Sequence, residues 1–359
     1  MVVIQYHKPK IYWISINLLL IFLMVLIGGI TRLTDSGLSM TEWSLITGII
    51  PPLTTGDWIE TFDKYKLSPE FTFKNYDMTI EEFKKIFFWE YFHRIWGRLI
   101  GLTYTLPLIY FWITNKFTSS EKIFFSILLF FGASQAFMGW YMVKSGLTEN
   151  PDVSHFRLSG HLFIAFLIYS MLLFYLSLKI TLKKNTYISA NKESMNFGNI
   201  LIYTCIVLIF VTIVSGAFVA GTKAGWAYNN FPLMGENILP PVLLENQSNS
   251  INFLFNDIGF VQFFHRILAS ATLVIVLFTS IYLFRFTPNK VVKRLSKILF
   301  FVVILQYLLG IIILKLYVPI SLGVMHQLGS LIVLSLLLGI LAKNLSLGIL
   351  SNSQRYIIN

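Results

Sequence analysis

The chain has 359 residues, 55% hydrophobic and 16% aromatic, with a mean hydropathy of +0.69, which excludes a soluble domain of this size. A net charge of +11 does not point to nucleic acid, because the basic residues gather in alternate short connections between apolar runs. The single Cys205 lies within an apolar run and reads as a small buried hydrophobe, excluding a disulfide framework or a thiolate metal site.

Taken in order, apolar runs near the roughly 20 residues needed to cross a bilayer fall at about 11–30, 92–114, 121–143, 157–179, 199–221, 262–284, 296–317 and 321–343. Eight spans are expected. The first lacks a small-residue cleavage site and reads as a retained span. An acidic loop, 31–90, follows it and includes Met-Thr-Ile-Glu-Glu-Phe-Lys-Lys-Ile, whose amphipathic spacing predicts a segment lying on the membrane surface.

Charge sets the orientation. Lys8 and Lys10, Lys116 and Lys122, Lys179, Lys183, Lys184 and Lys192, then Arg285, Lys290, Lys293, Arg294 and Lys297, with Lys343 and Arg355, all fall on one side. The positive-inside rule makes that side cytoplasmic, with both termini inside. The 31–90 loop and the 222–258 loop, where Lys223 stands against Glu236, Glu245 and Asp257, then face outward.

The two halves repeat. Gly28-Gly29 followed by Pro51-Pro52 corresponds to Gly216 followed by Pro240-Pro241, and Gln135, Gly139 and Lys144 match Gln306, Gly310 and Lys315 at an offset of 171. The expected fold is an all-α integral membrane protein whose eight transmembrane helices form two pseudo-two-fold-related four-helix bundles, 1–185 and 186–359.

Four histidines, His93, His161, His265 and His326, each sit near the outer start of an even-numbered span. They should therefore share one depth, and within each half one imidazole can face another across a bundle core, as in haem ligation from two sides. Two haem-sized sites follow. Two histidines without Cys, Asp or a third His are a poor set for zinc or copper. His155 and His7 stand apart, in an outer loop and the N-terminal tail.

Arg94 and Arg266 directly follow two of these histidines and are placed either to pair with haem propionates or to snorkel toward the interface, and Arg98 shares that choice. Gly97 and Gly101 leave room for a neighbouring helix or a flat macrocycle. Glu90 lies one turn before His93, whereas Gln262 holds the same place before His265. A carboxylate beside one site only can shuttle protons or stabilise a developing cation, which places chemistry in the N-terminal half and a retained haem in the C-terminal half. An i,i+4 ion pair with Arg94 is the plainer reading.

Residues 28–43 (Gly-Gly-Ile-Thr-Arg-Leu-Thr-Asp-Ser-Gly-Leu-Ser-Met-Thr-Glu-Trp), 90–98 (Glu-Tyr-Phe-His-Arg-Ile-Trp-Gly-Arg), 135–147, 214–225, 230–235, 262–266 and Met-His-Gln at 325–327 strongly resemble the haem A synthase family. The resemblance is to its proteobacterial and mitochondrial branch, because the outer loop has no cysteine pair. It implies a bacterial inner-membrane oxidoreductase that converts the C8 methyl group of haem O to the formyl group of haem A by successive hydroxylations, for haem-copper terminal oxidases. It also implies that Glu90 is the catalytic acid, that His93 and His161 hold the substrate haem, and that His265 and His326 ligate haem b. Implied partners are membrane lipid, a haem O synthase, an electron donor and a second copy of the chain, with no nucleic acid. The competing reading is a dihaem b-type membrane cytochrome that only transfers electrons, although such proteins usually place their haems at two depths.

Overall fold

A computed structural model describes residues 7–42, 47–148, 151–183, 192–244 and 250–355; Trp43, Lys184 and Glu245 lie outside the described residues. The helices are α1 (Lys8–Leu33), α2 (Thr55–Lys66), α3 (Pro69–Lys74), α4 (Ile80–Ile113), α5 (Ser119–Gly146), α6 (His155–Lys183) and α7 (Lys192–Gly221). They continue with α8 (Pro241–Leu244), α9 (Ile251–Asn256), α10 (Ile258–Phe286), α11 (Lys290–Lys315) and α12 (Ile320–Arg355). No strand occurs among the described residues.

Seven of these helices, α1, α5, α6, α7, α10, α11 and α12, are long and apolar enough to cross a membrane. This is an all-α, multi-pass membrane protein. The expected second span, 92–114, lies in α4, which is not among the seven because Arg98 together with Thr103, Tyr104, Thr105 and Pro107 lowers the hydropathy of its apolar run. The amphipathic Thr79–Ile86 stretch is the first part of α4 rather than a separate surface helix. A capping box between Thr79 and Glu82 starts the helix there, and no breaker follows before His93. Thr54 with Asp57 and Thr118 with Glu121 open α2 and α5 in the same way.

The chain divides into two compact units, one of Leu19–Ile168 and the other joining the start of α1, up to Leu18, to the chain from Tyr169 onward. In the first, the Trp96 indole donates to the Leu20 carbonyl at 2.9 Å, holding α4 against the second half of α1. The Tyr104 hydroxyl donates to the Phe125 carbonyl at 2.8 Å, joining α4 to α5. Outside these helices, Phe62, Tyr65, Phe83 and Phe87 bury one another between α2 and the first turns of α4. The Tyr65 and Phe83 rings stack at 5.0 Å. Such burial is worth about 1.5–3 kcal/mol per large side chain, which lets a polar connection keep a fixed shape over the helices.

In the second unit α10 packs on α7 and α11, while α12 packs on α11 and α7, closing a ring of four helices. Polar ties cross it: Thr212 and Thr272 hydroxyls meet at 2.8 Å, and Ser270 meets Tyr307 at 2.8 Å.

The turns after α1 and α7 match in a way composition hides. Asp35 (φ 47°) and Lys223 (φ 56°) both adopt the left-handed conformation. They are 188 residues apart, the same interval as Gly28 and Gly216.

Candidate functional site

Each of the four histidines lies against a glycine of another helix. A Cβ added at Gly28 on α1 would come within 3.5 Å of the His93 ring, and one at Gly139 on α5 within 3.2 Å of His161. The corresponding approaches are 3.1 Å from Gly216 on α7 to His265 and 3.0 Å from Gly310 on α11 to His326. A methyl group at Gly139, Gly216 or Gly310 would push against an imidazole, so glycine sets how close those three rings can lie to the next backbone, whereas one at Gly28 would make ordinary contact with His93. His93 and His161 are within electrostatic reach of one another in their unit, as are His265 and His326 in theirs.

Polar neighbours orient the rings. The Gln135 amide nitrogen meets His161 Nε2 at 3.2 Å, and Gln306, at the matching position, meets His326 Nδ1 at 3.2 Å while donating to the His326 carbonyl at 2.8 Å. The Ser215 hydroxyl meets His265 Nδ1 at 2.8 Å. An imidazole whose Nδ1–H is held by an acceptor, as the Ser215 oxygen can hold His265, keeps its Nε2 lone pair for a metal. Two imidazoles per unit, each packed against a glycine, are a donor set that fits a haem iron. The glycine and glutamine repeats were visible in sequence; their contact with the histidines was not.

Glu90 and Gln262 sit in matched clamps. Glu90 Oε2 accepts from the Ser39 hydroxyl at 2.7 Å and the Met40 N–H at 2.6 Å, while Oε1 accepts from Arg94. Arg94 also donates to the Met40 and Glu42 carbonyls, both at 3.0 Å. In the other unit Arg266 donates to the Tyr228 carbonyl at 2.9 Å, the Asn230 carbonyl at 3.1 Å and Gln262 Oε1 at 3.1 Å. Tyr228 and Asn230 lie 188 residues beyond Met40 and Glu42. The Gln262 amide donates to the Ala224 carbonyl at 2.8 Å and the Tyr228 carbonyl at 3.2 Å. Thus the ion pair expected between Glu90 and Arg94 is present, and both guanidinium groups bind carbonyls of the loop that follows the first helix of their half. Ser39 and Met40 carried no sequence signal beyond their place in a motif.

Other residues fall outside this arrangement. His155 is the first residue of α6 rather than a loop residue, and its ring lies 4.4 Å from that of Phe156. A Cβ on Gly97 would touch Met24 at 3.5 Å, a helix-packing contact, whereas Gly101 has nothing within 4 Å. A carboxyl group with no sequence signal, Glu70, is 3% exposed beside the aromatic cluster of α2 and α4, where it accepts from the Tyr65 hydroxyl at 3.0 Å. Burial pushes its pKa up to about 7 and also raises that of Tyr65.

Fold and site together define a multi-pass helical membrane protein with two pairs of histidines, one pair with Glu90 a turn before its first histidine and the other with Gln262 there. The chain belongs to the cytochrome oxidase assembly protein family (COX15-CtaA), whose model matches residues 11–338. It is 42% identical over 330 residues to a haem A synthase of Nitrosospira multiformis, covering 91% of this chain and 90% of that one. It is 43% identical over 327 residues to a haem A synthase of Wolbachia pipientis subsp. Culex pipiens, covering 90% and 94%. It is also 41% identical over 335 residues to one of Rickettsia bellii, covering 92% and 97%.

Proposed function

We propose that this chain is a haem A synthase, an oxidoreductase that converts the C8 methyl of haem O to the formyl group of haem A by successive hydroxylations. One observation carries the reading: beside two arginines that hold matching loop carbonyls, a carboxylate stands in one half and an amide in the other. Electron transfer alone gives no reason for that exchange. Oxidation at one site, served by a haem at the other, does.

In this reading His93 and His161 hold the substrate haem in the N-terminal half, 1–185, and His265 with His326 hold haem b in the C-terminal half, 186–359. Haem b supplies one-electron transfer when bound. Glu90 is immobilised by Ser39, Met40 and Arg94. A carboxylate held by three donors keeps its position as charge develops, which suits stabilisation of positive charge at the methyl carbon better than carrying a proton away. Arg94 positions Glu90 by bridging it to the Met40 and Glu42 carbonyls. Arg266 has a buried Nε with no hydrogen-bond partner among the described residues, a donor left for a haem propionate.

The reading also makes α4 an eighth span and puts the protein in the bacterial inner membrane with cytoplasmic termini, supported by the one-sided distribution of Lys and Arg. A haem O synthase supplies the substrate, and an electron donor supports the hydroxylations. The test is haem extraction and chromatography after expression with a haem O supply. Wild type should yield haem A, and Glu90→Gln should retain haem without forming it. Normal haem A formation by Glu90→Gln would remove the carboxylate from the mechanism.

A further inference from the structure

The two histidines that follow Glu90 and Gln262 differ in one respect that their surroundings decide. Ser215 Oγ donates its single proton to the Thr212 carbonyl at 2.7 Å. Toward His265 Nδ1, 2.8 Å away, it can then only accept. His265 is therefore the tautomer protonated at Nδ1, with the Nε2 lone pair available to iron. The position equivalent to Ser215, next to Gly28 as Ser215 is next to Gly216, is Ile27. Ile27 is 3% exposed and offers only hydrocarbon. Among the described residues His93 has no hydrogen-bond partner, so nothing selects its tautomer or holds its ring orientation. In the other pair of histidines both rings have an amide partner, Gln135 at His161 Nε2 and Gln306 at His326 Nδ1.

A metal-bound imidazole whose second nitrogen donates to a fixed acceptor is pre-oriented and more electron-rich, and loss of such a partner typically lowers metal affinity about 10- to 100-fold. We propose that Ser215 is a positioning residue that makes His265 a permanent haem ligand, and that Ile27 leaves His93 a releasable one. This rests on the functional reading above and deepens it. An enzyme whose substrate and product are both haems needs one site that exchanges and one that does not, and Ser215, beside the Thr212 carbonyl that also bonds the His265 ring, is the side chain that differs between them.

The experiment uses full-length protein in lipid nanodiscs. Haem b transfer to excess apomyoglobin and the haem b midpoint potential are measured for wild type, Ser215→Ala and Ser215→Thr. Ser215→Ala should release haem b about 10- to 100-fold faster. Its potential should rise, because a less electron-rich ligand favours ferrous iron. Ser215→Thr, which restores a hydroxyl, should return both values toward wild type. In the reverse direction, Ile27→Ser should slow release of bound haem O about tenfold, followed by chromatography of the haem retained. Wild-type release rate and potential in Ser215→Ala, or failure of Ser215→Thr to restore them, would overturn the inference. Failure of the functional reading looks different: wild type would form no haem A from haem O, whatever the behaviour of the Ser215 variants.

Discussion

Met40 and Glu90, 50 residues apart, are joined twice: the Met40 N–H donates to Glu90 Oε2 at 2.6 Å, and the Met40 carbonyl shares Arg94 with Glu90 Oε1. The loop after α1 thereby becomes part of the acidic site. Glu90→Gln keeps the shape but turns an NH2 donor toward groups that donate to the carboxylate, and removing one electrostatic contact of this kind costs about 10²- to 10³-fold in turnover. Haem A formation should fall by that order while the absorption spectrum of bound haem persists.

The opposite exchange should harm stability rather than catalysis. In Gln262→Glu the new carboxylate faces the Ala224 and Tyr228 carbonyls, to which the amide now donates. Facing acceptors without a proton between them costs about 1–3 kcal/mol. A lowered thermal unfolding midpoint in detergent, without gain of a second active site, is the expected result.

Glycine substitutions separate the haem sites from ordinary packing. Gly310→Ala places a methyl group 3.0 Å from His326 Cε1, so the ring must move and the haem b absorption should fall or shift. Gly139→Ala, 3.2 Å from His161, should weaken haem O binding instead. Gly101→Ala meets nothing within 4 Å and serves as the control, with haem content unchanged.

Glu70 makes the segment between α1 and α4 pH-sensitive. Burial raises its pKa from 4.5 to about 7, so the folded loop favours the protonated acid. Its contribution to stability is complete below pH 4.5 and is lost as pH rises through about 7. Near-ultraviolet circular dichroism melts between pH 5 and 8 should show the aromatic cluster loosening as pH rises. Glu70→Gln should flatten that dependence, and an unchanged slope would assign it to another group.

Hydropathy, helical spacing and charge asymmetry are local properties, so the sequence alone determined an all-helical membrane protein, the four histidines near helix starts, the Glu90–Gln262 exchange and the recurring glycines and glutamines. Tertiary structure decided what those residues touch. Arg94 reaches carbonyls 52 and 54 positions away, and Gln306 reaches a histidine 20 positions on, along paths set by loops that carry no periodicity. The same holds for Glu70, buried because an aromatic cluster closes over it, and for Ser215, whose hydroxyl matters only because another helix brings an imidazole within 2.8 Å. A side chain's type is written in the chain, but its hydrogen-bond partner depends on how distant segments are brought together, which only the packed structure settles.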